Sequence, residues 1–247
     1  MTVCIPAHNE DATIAKVVGA VIDHPRVARV LVVDDGSSDT TAHRGRTAGA
    51  EVVRAAGSRP GCPRGKGHAM TTGLNLVATP LVVFLDADVT DTRASWIDSL
   101  TLPLDKHPDV LLVKGHYRRH LPGVPDGGGR VNALLARPLL RQFAPEIAWL
   151  AQPLAGECAA RTGSLQALTL EPGYGVEIGI LLDLTHRHGP HTITEAVLGN
   201  RAHRNRPLSQ LEGHADDILQ AVLRRQGPAY SAQTTTTSGA APADRSA

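Results

Sequence analysis

Leu81-Val82-Val83-Phe84-Leu85-Asp86-Ala87-Asp88 is the stretch that decides the architecture of this chain. Five consecutive apolar residues behind Pro80 predict a strand buried on both faces, as at the centre of a parallel sheet. Where that strand leaves the core, two carboxylates stand one residue apart. Residues two apart on an extended chain point the same way, so Asp86 and Asp88 are expected to aim at one spot. In an open α/β sheet, ligands bind in the crevice beyond the carboxyl ends of the strands. Hard oxygen donors in that place suit a divalent cation that carries a diphosphate. A solvated strand end followed by a turn is the other reading of an isolated Asp-x-Asp, and its neighbours decide between them.

Upstream, Val3-Cys4-Ile5 predicts a short buried strand stopped by Pro6. Ile14, Val17, Val18, Val21 and Ile22 follow helical spacing, with Asn9 or Asp11 available as the cap. Val30 to Val33 predicts a second strand, ending in the turn chemistry of Asp34-Asp35-Gly36-Ser37-Ser38-Asp39 and a helix over Thr40 to Ala48. Glu51-Val52-Val53 is a brief third strand, followed by a Gly/Pro-rich loop from Gly57 to Pro63. Gly65-Lys66-Gly67 then opens a helix to about Val77. Strand and helix alternate, which predicts parallel pairing through right-handed crossovers. The loops at Pro6 to Glu10, Asp34 to Asp39 and Asp86 to Asp88 all follow strands and should gather on one sheet edge. No Gly-x-Gly-x-x-Gly fingerprint is present, which argues against a nicotinamide or flavin enzyme.

Downstream, the pattern is less regular. Val110 to Val113 predicts a strand, and His120 to Gly129 a Gly/Pro-rich lid or acceptor loop. Arg130 to Phe143 should be helical with an interruption at Pro138. Tyr174 to Leu184 predicts a helix carrying Val176, Ile180, Leu181 and Leu184 on one side. Thr192 to Leu198 reads as a strand and Leu208 to Arg225 as an amphipathic helix. From Gly227 onward Ser, Thr, Ala and Pro dominate, predicting a disordered tail. The expected organisation is a nucleotide-binding half over 1–115, an acceptor-binding half over 116–226 and the tail over 227–247.

Charge is nearly balanced across the 247 residues, with 25 basic and 24 acidic side chains. That balance, with only 3% aromatic residues, gives no basis for a nucleic-acid surface, even around Arg201, Arg204 and Arg206. The scattered Cys4, Cys62 and Cys158 lack metal-ligand spacing and fit free thiols in a reducing cytoplasm. No signal pattern opens the sequence, and no apolar run approaches the roughly 20 residues that span a bilayer. A cytoplasmic protein without a membrane partner is expected.

Pro6-Ala7-His8-Asn9-Glu10, Asp34-Asp35-Gly36-Ser37-Ser38-Asp39-Thr40, Gly65-Lys66-Gly67 and Asp86-Ala87-Asp88 together resemble the nucleotide-sugar half of a GT-A glycosyltransferase. Gly129-Arg130-Val131, Ala136 to Leu140, Gln152 to Glu157, Gly173 to Gly179 and Arg201 to Leu208 narrow the resemblance to glucosyl-3-phosphoglycerate synthases. It runs from Val3 to about Leu223. The resemblance implies a GT-A fold: an α/β architecture with a Rossmann-like, mostly parallel central sheet flanked by helices and a smaller acceptor-binding C-terminal half. It also implies a retaining, divalent-metal-dependent transfer of glucose from UDP-glucose to the 2-hydroxyl of 3-phosphoglycerate, by a protein that is commonly a homodimer.

By that similarity Pro6, Ala7, Asn9, Glu10 and Asp35 hold the uridine, and Lys66 lies near the diphosphate or uracil. Asp86 and Ala87 meet the sugar nucleotide, while Asp88 and His203 hold Mg²⁺ or Mn²⁺. Tyr174, Gly175, Val176 and Glu177 hold glucose and the acceptor's reactive end. Gly129 and Arg130 hold the acceptor phosphate, with Asn132, Arg201 and Asn205 in the same pocket. Asn132-Ala133 departs from the family's Thr-Glu, which keeps open a different donor or small acceptor on the same scaffold. Retention admits a covalent route with Glu177 as nucleophile or front-face attack; the resemblance favours the second, with Glu177 as a clamp on a glucose hydroxyl. A sugar-nucleotide pyrophosphorylase would carry a Gly-rich, Arg-containing loop where Pro6 to Glu10 stands. A non-catalytic binder would have no use for intact metal ligands.

Overall fold

The computed structural model describes residues 1–121, 124–125, 129–201 and 208–227. Its first half alternates strand and helix: β1 (Thr2–Ala7), α1 (Ile14–Val21), β2 (Arg29–Asp34), α2 (Thr41–Thr47), β3 (Glu51–Arg54), α3 (Lys66–Leu74), β4 (Leu81–Phe84) and α4 (Ser95–Lys106). Then come β5 (Leu112–Leu121), β6 (Val124–Pro125), α5 (Arg137–Phe143), β7 (Cys158–Arg161), α6 (Thr162–Gln166), α7 (Val176–His188), β8 (Ile193–Arg201) and α8 (Leu208–Arg224). One sheet runs β3-β2-β1-β4-β7-β5-β6, and β8 pairs with β5. β1, β2, β3 and β4 are parallel, as the alternation predicts, and β8 is parallel to β5. β7 is antiparallel to both its neighbours. The boundary drawn between 115 and 116 falls inside β5, so residues on both sides of it share the sheet.

The two-residue period of a strand sorts its side chains between two cores. Val3, Ile5, Val30, Val32, Val83 and Leu85 face one layer with α1 and α4. Cys4, Leu31, Val33, Val82 and Phe84 face the other with α3, α7 and α8. A continuous apolar run is therefore what a strand covered on both sides requires. Burial pushes the Cys4 thiol up to about 12 and the Cys158 thiol up to about 11, and all three cysteines are free thiols.

Several expectations need correction. Neither Asn9 nor Asp11 caps α1, which has no side-chain cap. Instead the Asn9 side chain accepts from Ser38 N, and Asp11 accepts from Thr40 Oγ, tying the loop after β1 to the loop after β2. Asn9 takes the left-handed φ of 55° to do so, which asparagine tolerates. The sequence reading passed over α4, where Pro103 sits inside an otherwise helical pattern, and β7, whose Cys-Ala-Ala-Arg lacks β-branched residues. The interruption near Pro138 is a π-helical segment over Asn132–Ala136. Pro138 has no N–H to give, and its ring crowds the carbonyl four residues back, so the ladder widens before it. β5 begins two residues later than read and runs on to Leu121. α7 is buried on all sides over Val176–Thr185, rather than on one, because it lies between the sheet and α8. Gly227 apart, the tail lies outside the described residues.

α8 is fixed by charge as well as by Ile218, Ala221 and Val222. Just after it, the buried Arg225 donates to both oxygens of Asp183 at 2.9 and 2.7 Å, and to Glu171 at 2.5 Å. Burial alone would raise Glu171, but hydrogen bonds from Arg224 and Arg225 outweigh it and hold its carboxyl below the usual value. A depressed carboxylate contributes stability above its unfolded pKa of about 4.3, and loses it as pH falls through the lower folded value. Arg225→Met should therefore lower stability by roughly 3 kcal/mol at pH 7 in urea denaturation. The gap to wild type should narrow as pH falls below about 4, where the stranded carboxylates take up protons.

Candidate active site

The loops after β1, β2 and β4 meet at the carboxyl edge of the sheet, as the topology requires. Asp35 N donates to Ala7 O at 2.8 Å, stitching the first two loops together. A cleft of about 700 Å³ opens there. Pro6, Ala7, His8, Glu10, Asp35 and Arg64 line one end; Lys66, Asp86, Ala87, Asp88 and Glu177 line the middle. Gly129, Arg130, Asn132 and Tyr174 share the wall with Leu211, His214 and Asp217 from α8.

At the centre, Lys66 Nζ lies 2.6 Å from Asp86 Oδ1 and 2.5 Å from Glu177 Oε1. Lys66 begins α3, Asp86 follows β4, and Glu177 stands in the first turn of α7. Burial pulls the Lys66 ammonium down, but the charges of Asp86 and then Glu177 overcome it and hold it well above its ordinary value. A like-charged pair of carboxylates at this spacing is sustained only by the cation between them.

The backbone makes this meeting possible. A Cβ at Gly67 would run into the Glu171 carbonyl, and one at Gly156 into the Asp86 carboxylate. Gly67 N and His68 N donate to the carbonyls of Gly173 and Pro172, at 3.3 and 2.8 Å. The start of α3 therefore docks on the segment that leads into α7. Gly156 is steadied by the buried Lys114, whose Nζ donates to Ala155 O at 2.5 Å.

Asp86 and Asp88 both reach the cleft, though not as neighbours on an extended strand. β4 ends at Phe84, and Ala87 and Asp88 lie in a turn. Asp88 lies on the wall of the cleft, and a carboxylate offers the hard oxygens that could hold Mg²⁺ or Mn²⁺. His203 and Asn205 lie outside the described residues, and Arg201 is described only as the last residue of β8. Among the described residues no group of three or more His, Cys, Asp or Glu is set to hold a metal.

Other expected site residues divide. Pro6, Ala7, Glu10, Gly129, Arg130, Asn132 and Tyr174 are on the wall. The Asp35 carboxylate is there too, but it accepts from Arg64 N at 3.0 Å and Gly65 N at 2.7 Å, closing the loop before α3. Asn9 is turned away to Ser38. Val176 is fully buried in the core, and Gly175 packs directly under Ala221 and the Asp217 carbonyl of α8. Asn132 Nδ2 donates to Ala151 O at 3.0 Å.

The sequence reading missed the contribution of α8. The Tyr174 and His214 rings stack with centroids 3.4 Å apart, and Tyr174 N donates to Asp217 Oδ2 at 2.8 Å. The available signal was the pair of glycines flanking Tyr174, which imply a close backbone neighbour without saying which.

The model of the family described as glycosyl transferase family 2 matches residues 2–146. The glucosyl-3-phosphoglycerate synthase of Mycobacterium tuberculosis strain H37Rv is 40% identical over 238 residues, covering 92% of this chain and 74% of the relative. The enzyme of that name from Petrotoga mobilis is 33% identical over 236 residues, covering 91% and 73%. The crystal structure of the M. tuberculosis synthase in complex with Mn²⁺, UDP-glucose and phosphoglyceric acid aligns with a TM-score of 0.82 at 38% identity, covering 91% of this chain and 78% of that one. With the GT-A arrangement of the sheet and the cleft at its carboxyl edge, these likenesses mean that the chain belongs to the family described as glycosyl transferase family 2 and to the glucosyl-3-phosphoglycerate synthases.

Proposed function

We propose that this protein transfers glucose from UDP-glucose to the 2-hydroxyl of 3-phosphoglycerate, with the anomeric configuration retained. The observation that carries the reading is the Asp86–Lys66–Glu177 centre, set between a nucleotide-side wall and Arg130 in one cleft. It is supported by relatives solved with Mn²⁺, UDP-glucose and phosphoglyceric acid, and with UDP, Mn²⁺ and glucosyl-3-phosphoglycerate.

Asp88, with His203, would hold Mg²⁺ or Mn²⁺, which when bound offsets the charge that develops on the departing diphosphate. Pro6, Ala7, Glu10 and Asp35 form the uridine end, and Lys66 holds Asp86 and Glu177 in place as acceptors for sugar hydroxyls. Arg130, beside Gly129 and ahead of a helical segment, offers a guanidinium and backbone donors to the acceptor phosphate. Tyr174 and Glu177 bracket the place where the acceptor hydroxyl meets the anomeric carbon. Glu177 is a poor nucleophile while its oxygen lies 2.5 Å from an ammonium, which favours front-face attack over a glycosyl-enzyme. The chain's own part is then positioning and field. Assignment to the cytoplasm and to a homodimer belongs to this proposal as well. No described helix is long and apolar enough to cross a membrane.

One observation favours a second reading, in which the scaffold serves another acceptor. Asn132 Oδ1 is buried with no hydrogen-bond partner among the described residues, and it suits a donor rather than a phosphate oxygen.

Incubation with UDP-glucose, 3-phosphoglycerate and Mn²⁺ should release UDP and give the mass of a glucosylated phosphoglycerate, and EDTA should abolish both. UDP release with a different acceptor, and none with 3-phosphoglycerate, would favour the second reading. Asp88→Ala should lower kcat/KM by more than roughly a hundredfold in the same assay. Lys66→Met should lose activity by roughly a hundredfold. In the wild type the ammonium stays charged below its raised pKa, and its contribution is lost only when pH climbs through that value, so the rate gap between the two proteins should hold from pH 6 to 8.

A further inference from the structure

Resting on the proposed donor, we infer that Lys114 of β5 is a positioning residue for the donor sugar: through the peptide between Ala155 and Gly156 it sets the direction in which Asp86 offers its oxygens. Residues 152–157 lead from the cleft wall, where Leu154 stands, into β7. β5 and β8 grip that segment at its two ends and in its middle. Gln152 N donates to Glu195 Oε1 at 2.9 Å, and Gly115 N donates to Glu157 O at 2.8 Å. Between them, Lys114 Nζ donates to Ala155 O at 2.5 Å.

The middle grip is the one that reaches the site. Ala155 O and Gly156 N belong to one planar peptide unit, so holding the carbonyl fixes where the Gly156 backbone lies. A Cβ on Gly156 would collide with both oxygens of the Asp86 carboxylate, which therefore rests directly on that backbone. Asp86 Oδ1 also takes the Lys66 ammonium at 2.6 Å. The direction of the carboxylate is thus set by Lys66 and by Gly156 together. Lys114 is only 1% exposed, and taking an ammonium out of water is costly where an unbranched apolar side chain would fill the same space. What the lysine supplies in return is the placement of a carbonyl that no apolar side chain could hold. A group that orients a substrate loses up to about a hundredfold in effect when misplaced by about 1 Å.

The test is calorimetric titration of wild type, Lys114→Met, Asp86→Asn and the double variant with UDP-glucose and with UDP, each with Mn²⁺ and without acceptor. The reading is the affinity for UDP-glucose relative to UDP, which isolates the sugar. Asp86→Asn should lower that ratio roughly tenfold, and Lys114→Met roughly fivefold. The double variant should match Asp86→Asn alone within about twofold, because Lys114 then has no carboxylate to place. An unchanged ratio in Lys114→Met would make Lys114 a support of the fold alone and overturn the inference, as would a loss that adds in full to that of Asp86→Asn. An unchanged ratio in Asp86→Asn removes the sugar contact of Asp86 and the inference with it. A wild type that does not bind UDP-glucose removes the proposed donor as well. Should Lys114→Met fail to fold, Gly156→Ala decides, since it pushes the same peptide off Asp86 with Lys114 in place. Its ratio should fall roughly fivefold, and an unchanged ratio overturns the inference.

Discussion

A single ammonium group shared by two carboxylates is the constraint on which the site depends. Lys66, Asp86 and Glu177 come from the start of α3, the end of β4 and the first turn of α7, and their meeting brings three elements together within hydrogen-bond reach. Two carboxylates at that separation repel each other, and in a half-buried cleft that repulsion is only weakly screened. Lys66 turns the repulsion into two attractions and leaves a surface with acceptors for hydroxyl groups.

The folding of the chain serves that meeting through close backbone approach more than through side-chain bulk. Gly67 lies against Glu171, Gly156 against Asp86, and Gly173 and Gly175 against α8. A methyl group at any of these would push apart the surfaces that set the positions of Lys66, Asp86 or Tyr174. Behind them lie two apolar cores, one on each face of the sheet, which give the rigid frame. α8 closes the sequence of contacts, since Arg225 ties its end to Glu171 and Asp183 while Asp217 and His214 engage Tyr174 at the cleft.

Much of this was legible in the sequence because it is local. The run Leu81 to Leu85 announces a central strand, the strand–helix alternation announces parallel pairing, and turn residues after each strand place the motif loops on one edge. The motifs around Lys66, Asp86, Arg130 and Glu177 could be tied to one family, and the fold and the relatives agree with that assignment. What stayed hidden was contact between distant positions. Nothing in the spacing says that Lys66 bridges Asp86 and Glu177, or that Asp35 spends its carboxylate on the Arg64 and Gly65 N–H groups. β7 was hidden by its small residues, α4 by an internal proline, and the wall role of α8 by an amphipathic pattern that reports burial and not what its half-exposed face meets.

The central claim is that a sugar nucleotide lies across this shared ammonium, with its cation on Asp88. Crystals soaked with UDP-glucose and Mn²⁺, with anomalous scattering to locate the manganese, test it most directly. The account predicts manganese in direct contact with Asp88, and glucose hydroxyls within hydrogen-bond reach of Asp86 and Glu177. Manganese bound away from Asp88, or a nucleotide seated outside the cleft between β1 and β4, would contradict it.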